Sequence, residues 1–160
     1  MTMKHFLLTL FVLFAGMHLA KADNSFTYLL GADSINVNLD YSRLQISPDV
    51  HVNFPELLDL YGDTWRTGFL REMNASNEEW DLTFGTFNSQ YTVLVQFVSL
   101  RPNASLKVIF RIIDMHTVSE LHAQVVESRG GLFGSFEELL RESIQRVGEE
   151  IGDIIKDNIV

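Results

Sequence analysis

The 160-residue chain contains no cysteine and only three prolines. The absence of cysteine excludes disulfide bonds, cysteine-zinc sites, thiol redox chemistry and cysteine nucleophiles. Basic residues are also few, because 12 lysines and arginines face 21 acidic residues and leave a net charge of −9. That charge repels nucleic-acid phosphates and anionic lipid surfaces. We therefore expect no nucleic-acid partner.

The first 22 residues have the pattern of a secretory signal peptide. Lys4 and His5 precede an apolar run at residues 6–15, and Ala20-Lys21-Ala22 offers small residues at alternate positions. The run is too short to span a bilayer, which takes about 20 apolar residues. We predict cleavage after Ala22, with no lipidation cysteine at that point and no stable membrane insertion afterwards. An exported chain without disulfides favours a bacterial periplasm or secretion from a bacterium.

The rest of the chain fits one domain, and 46% apolar residues allow it a core without covalent support. Residues 23–34 lack a clear period and are predicted to form an irregular lead-in to a single α/β domain at 35–160. Apolar and polar residues alternate from Ile35 to Tyr41, which predicts a strand with one solvent-exposed face. Asn53 can cap a helix whose apolar stripe extends from Phe54 to Met73.

The second half of the chain predicts a meander followed by a helix. A short strand or connector at 80–84 precedes β-rich runs at 91–100, 106–113 and 119–128, and the short polar turns between the three runs predict antiparallel pairing. Ser135 and Glu138 form a capping box before a long apolar stripe, and this helix should cover the meander. Gly148 and Gly152 favour close approach of the helix to the sheet, with a functional hinge as the alternative.

Together these elements predict an α+β fold, a two-layer sandwich in which two amphipathic helices cover a mainly antiparallel sheet. The predicted order is β-α-(β)-β-β-β-α. The runs from Tyr91 to Val95, Ser119 to Glu127 and Gly130 to Phe136, with the closing helix, resemble uncharacterised exported proteins of Bacteroidetes. In layout the chain is more distantly similar to the periplasmic domain of curli-secretion-channel-type proteins. The resemblance implies no catalytic residues, cofactor or pore.

No complete catalytic or metal-binding motif is present. The Gly130–Ser135 segment leads into a helix, but no lysine follows and Glu137 and Glu138 would repel phosphate, which favours a plain turn. The three histidines after the leader lack zinc-site spacing, and there is no Gly-x-Ser-x-Gly elbow. We therefore expect no cofactor, no metal and no catalytic residues, although a site without a motif stays open.

Three aromatic residues are candidates for an exposed contact surface, namely Trp80, Phe84 and Phe87, although packing in the core is the favoured interpretation for each. Asp33-Ser34-Ile35 is similar to a Bacteroidetes O-glycosylation sequence, which makes Ser34 a candidate acceptor. We expect a non-catalytic envelope domain that binds an unknown envelope protein, or itself, through a sheet edge or residues 80–90. The alternative is a small-ligand-binding protein or hydrolase with a pocket between the first helix and the sheet, lined by His51, Asp59 or Tyr61.

Overall fold

A computed structural model describes residues 25–159 as one sheet with two long helices on one of its faces. Single 3-10 turns precede the first strand, at Thr27–Leu29, and follow the first helix, at Glu78–Trp80. The strands and helices, in chain order, are β1 (Ser34–Asp40), β2 (Gln45–Ile46), α1 (Phe54–Ser76), β3 (Thr83–Gly85), β4 (Tyr91–Leu100), β5 (Leu106–Asp114), β6 (Ser119–Ser128) and α2 (Phe136–Asn158).

The sheet has the strand order β3-β1-β4-β5-β6, and β2 pairs with β4 beyond the end of β1. Strands β4, β5 and β6 form the predicted antiparallel meander. Strand β1 is parallel to both β3 and β4, because α1 carries the chain back to the starting end of the sheet before β3 begins. The predicted α+β two-layer sandwich is confirmed. The two-residue strand β2 was not predicted.

Helix α1 begins as its sequence predicts. The Asn53 side chain accepts a hydrogen bond from the Glu56 backbone N–H at 3.3 Å, and Pro55 lies in the first turn, where a missing N–H costs nothing. The helix continues past Met73 to Ser76. Beyond it, the buried Asn77 side chain donates to the carbonyls of Met73 and Gly152, both at 3.0 Å, which ties the end of α1 to α2.

Helix α2 starts with the predicted capping box. The Ser135 hydroxyl accepts from the Glu138 N–H, and the Glu138 carboxylate accepts from the Ser135 N–H, each at 3.2 Å. Both termini of this helix are thus fixed by local interactions, since Asn158 also donates to the Ile154 carbonyl at 2.7 Å.

The two helices lie side by side and run in the same direction, and glycines set their separation. A Cβ on Gly148 would lie 2.6 Å from the Phe69 carbonyl oxygen, and a Cβ on Gly152 would lie 3.1 Å from the Met73 Cα. The prediction that these glycines let α2 approach the sheet is therefore wrong. They let it approach α1, because this face of α2 turns toward the neighbouring helix.

The core lies between the helices and the inner face of the sheet. Alternate residues of β5, and of β4 up to the register shift after Phe97, point into it, as the period of two requires. The fully buried apolar residues include Val93, Val95 and Phe97 from β4, Val108, Phe110 and Ile112 from β5, Phe69 and Met73 from α1, and Ile144, Val147 and Ile151 from α2.

The lead-in belongs to this core. Phe26 and Leu29 are fully buried, and the Phe26 ring meets the His122 ring edge-on with centroids 4.7 Å apart. The Phe26 N–H donates to the Asn158 carbonyl at 2.6 Å, so the two ends of the described chain are joined. The predicted signal peptide, Met1 to Ala22, lies outside the described residues and stays a prediction.

Candidate functional site

The three histidines within residues 25–159 lie apart from one another. His51 precedes α1 at one end of the sheet, whereas His116 lies in the β5–β6 turn at the other end. His122 is buried between the rings of Phe26 and Phe110. Within residues 25–159, no three His, Asp or Glu side chains are grouped so that they could hold a metal ion.

The glycine-rich segment before α2 is a turn, as the sequence favoured. The Gly131 N–H donates to the Asn103 carbonyl at 3.1 Å, and the Ser135–Glu138 capping box occupies backbone donors of the first helical turn. An anion would have to displace these partners. The same segment holds two side chains that sequence reasoning did not single out: Leu132 and Phe133 are 89% and 91% exposed.

Of the three aromatic candidates, one is well exposed. Phe87 is 40% exposed, and its backbone N–H donates to the Asn36 side chain at 3.2 Å. Trp80 is half-buried and packs against the core. Phe84 is only 2% exposed, on the inner face of β3, so the hypothesis that it belongs to a contact surface is wrong. The three residues do not form one exposed platform.

The candidate glycosylation residue Ser34 opens β1 and is half-buried. Its hydroxyl lies 2.9 Å from the Ser89 hydroxyl, in a hydrogen bond that links β1 to the segment before β4. An O-linked sugar would replace this hydrogen bond. Modification of Ser34 stays a prediction.

In the part of the chain that the structure describes, the sheet leaves one long edge open, which is the edge of β6. Strand β6 ends the strand order, and within residues 25–159 no backbone group outside β5 bonds to it. Ala123, Gln124 and Val125 at its centre are exposed, with Val125 at 50%. The opposite edge is formed by β3, which has three residues. A long, unpaired strand edge is a template for pairing with another chain.

The outer face beside this edge combines apolar and charged side chains. The register aligns Gln96, Ile109 and Val125 in one row and Leu94, Arg111 and Ala123 in the next. Arg111 donates to the Gln96 side chain at 3.0 Å and to the Glu120 carboxylate at 3.1 Å. Both α-helices lie on the other face, so these rows face outward.

A concavity of about 370 Å³ lies between α1 and the end of β1. Its lining includes Asp59 but neither His51 nor Tyr61, so it matches the pocket alternative only in part. The lining also contains Tyr41, Asp63 and Arg66. Burial raises the pKa of the Tyr41 hydroxyl well above its usual value, and the Arg66 charge offsets part of that rise. The Arg66 guanidinium is held by the Val37 carbonyl at 2.9 Å and the Thr86 hydroxyl at 2.6 Å.

The chain matches no protein-family model, and no curated protein matches it. Among solved structures, a PelC dodecamer from Paraburkholderia phytofirmans is similar with 13% identity and a TM-score of 0.44, over 73% of this chain and 86% of that one. Protein XCC0632 from Xanthomonas campestris is similar with 9% identity and a TM-score of 0.49, over 76% of this chain and 81% of that one. At these values no residue role is transferred. The resemblance to Bacteroidetes proteins and to curli-secretion channels stays a prediction.

No helix within the described residues is both long and apolar enough to cross a membrane.

Proposed function

We propose that this chain is an exported, non-catalytic binding domain that recruits an envelope protein by adding a strand to the open edge of β6. The observation that carries the proposal is the unpaired ten-residue edge with exposed residues at its centre. An added strand would gain main-chain hydrogen bonds from the edge and selectivity from side chains in alternate positions.

The outer face adds to the selectivity of that edge. A partner strand beside Ala123 and Val125 would continue the two rows that contain Leu94 and Gln96. Val125 and Ile109 offer apolar contact, while Arg111 and Glu120 form a charge pair next to the edge. A partner with alternating apolar and polar residues fits this surface best.

The test compares Val125→Lys with Leu60→Lys, which changes an exposed leucine on α1. Lysine on an open edge disfavours strand pairing, whereas both positions are exposed enough to keep the fold. After crosslinking in envelope extracts, Val125→Lys should capture at least about tenfold less of the main partner, which corresponds to about 1.4 kcal/mol. Leu60→Lys should capture as much as the unchanged chain.

Amide hydrogen exchange gives a second measurement on the captured complex. The N–H groups of β6 that point away from β5 should become protected when the partner binds. Equal capture by both variants, or protection confined to other elements, would refute strand addition at this edge.

The alternative function is a ligand site in the concavity between α1 and β1. The specific observation is the Tyr41 hydroxyl, which is buried at this concavity without a hydrogen-bond partner among the described residues. A small polar ligand could accept from this hydroxyl and contact Asp59 and Asp63. If crosslinking recovers the protein alone, a small-ligand thermal-shift screen with Tyr41→Phe as the comparison becomes the deciding experiment.

A further inference from the structure

The two most exposed large apolar side chains of the described structure are neighbours. Leu132 and Phe133 lie between β6 and α2 and are 89% and 91% exposed. Single exposed apolar residues are common on protein surfaces, whereas contiguous exposed apolar patches mark sites of interaction with proteins or membranes. Gly131 and Gly134 flank the pair, and Gly134 has a positive φ of 121° that a side chain would disfavour.

The turn is held firmly at both ends. On one side the Gly131 N–H bonds to Asn103, and a Cβ on Gly130 would clash with the Asn103 carbonyl oxygen. On the other side the capping box fixes Ser135 and Glu138. The apolar pair is therefore presented by a preorganised turn, which reduces the entropy lost on binding.

Charge differs on the two sides of the turn. On the sheet side, Arg101, Lys107 and Arg129 line a groove that reaches Gly130, and the one acid in its lining, Glu127, lies 3.9 Å from Lys107. Within residues 25–159, Arg101 and Arg129 have no ion-pair partner. On the helix side, the Glu138 carboxylate of the capping box lies beside Gly134, and Glu137 lines a separate groove with Leu57 and Leu60. These two acids repel an anionic headgroup, so such a headgroup fits only the sheet side of the turn.

We infer that this turn inserts Leu132 and Phe133 into the surface of an anionic lipid bilayer, with Arg101, Lys107 and Arg129 facing the headgroups. Two side chains offer far less area than the roughly 800 Å² per partner that a specific protein interface buries. They suffice for shallow, reversible insertion when cations lie next to them. The net charge of −9 argues against lipid binding by the molecule as a whole, so the interaction depends on this one end.

The test uses the chain from Asp23 onward, which contains every described core residue and lacks the apolar leader. Binding is measured by sedimentation with vesicles of phosphatidylcholine alone and of phosphatidylcholine mixed equally with phosphatidylglycerol. Leu132→Ser combined with Phe133→Ser should weaken binding to the mixed vesicles at least about tenfold. Met115→Ser, in the β5–β6 turn at the opposite end of the sheet, should leave binding unchanged.

The headgroup contribution is tested with Arg101→Gln combined with Arg129→Gln. This variant should weaken binding to the mixed vesicles and flatten its dependence on salt, with little change on phosphatidylcholine alone. Circular dichroism checks that all variants are folded. No binding by the unchanged chain, or equal binding by the Leu132 and Phe133 variant, would overturn the inference.

Discussion

At the scale of single residues, glycines decide how closely the two helices pack. A Cβ on Gly148 would lie only 2.6 Å from the Phe69 carbonyl oxygen, so this position cannot gain a side chain without moving a helix. Gly62, also in a helix, faces only the flexible Leu58 side chain, whose Cδ1 would lie 3.2 Å away. The same residue type therefore has a packing role at one position and only a propensity cost at the other.

We expect Gly148→Ala to destabilise the fold by about 1 to 3 kcal/mol, because the added methyl group overpacks a backbone contact. Gly62→Ala should be neutral or stabilise by up to about 1 kcal/mol, because alanine is the better helix former. Urea unfolding of the two variants measures the difference. Similar effects at both positions would contradict the packing role of Gly148.

For the three aromatic candidates, the residue pattern did not determine which side chains are buried and which are exposed. Trp80, Phe84 and Phe87 fall in a segment without a strong period, so the sequence could not assign a face to any of them. The register of β3 against β1 points Phe84 into the core and leaves Phe87 beyond the strand end. The exposure of Leu132 and Phe133 was not predicted, because the glycines around them predict a turn but do not indicate whether its side chains are buried or exposed.

At the scale of elements, the strand runs and the helix caps predicted from the sequence agree with the structure. The bounds of β4 and β6 agree with the predicted runs, and both helices begin at the predicted caps. The alternation and the caps are properties of adjacent residues, so they can be identified without knowledge of the fold. The predicted short strand or connector at 80–84 corresponds in part to β3, which begins at Thr83 after the 3-10 turn at Glu78–Trp80, since pairing with β1 decides where so short a strand forms.

The reciprocal cap of α2 leads to a prediction at this scale. Ser135→Ala removes the hydroxyl that accepts from the Glu138 N–H and should reduce the free energy of unfolding by about 1 kcal/mol. Ser42→Ala, an exposed serine outside the helices, should change it by less than about 0.5 kcal/mol. Chemical denaturation compares them, and a cost for Ser42→Ala equal to that of Ser135→Ala would argue against a capping contribution.

At the scale of the whole molecule, the two ends of the described chain lie together. Residues near the start of the described chain fill the core beside β6, and the Phe26 N–H reaches the end of α2 at Asn158. The lead-in lacks periodicity because a 3-10 turn and a bend place its apolar residues, rather than a regular helix or strand. Nothing in residues 23–34 alone indicates this role.

Phe26→Ala tests whether the lead-in contributes to the stability of the core. Loss of a fully buried ring should cost about 3 to 5 kcal/mol, because it leaves a cavity beside His122. Phe133→Ala removes the same side chain from an exposed position and should change stability by less than about 0.5 kcal/mol. Thermal or urea unfolding of the pair measures the contrast. A small effect at Phe26 would mean that the lead-in is not part of the cooperative unit.

The sequence predicted the types of candidate surface, a sheet edge and a pocket, but not where in the fold each of them lies. A sheet edge was expected to mediate binding, yet a meander of three strands does not by itself say which edge stays open. Pairing of β1 with β4 covers the start of the meander and leaves β6 exposed. The concavity beside Asp59 likewise depends on how α1 crosses the end of β1.

The sequence by itself determined the number and type of most elements, the two helix starts, the antiparallel meander and the absence of cysteine chemistry, because these depend on residue type and on neighbours along the chain. Tertiary structure alone decided the parallel position of β1, the helix-to-helix role of Gly148 and Gly152, the burial of Phe84 and the exposure of Leu132 and Phe133. Those features depend on contacts between residues distant in sequence, which no local period specifies.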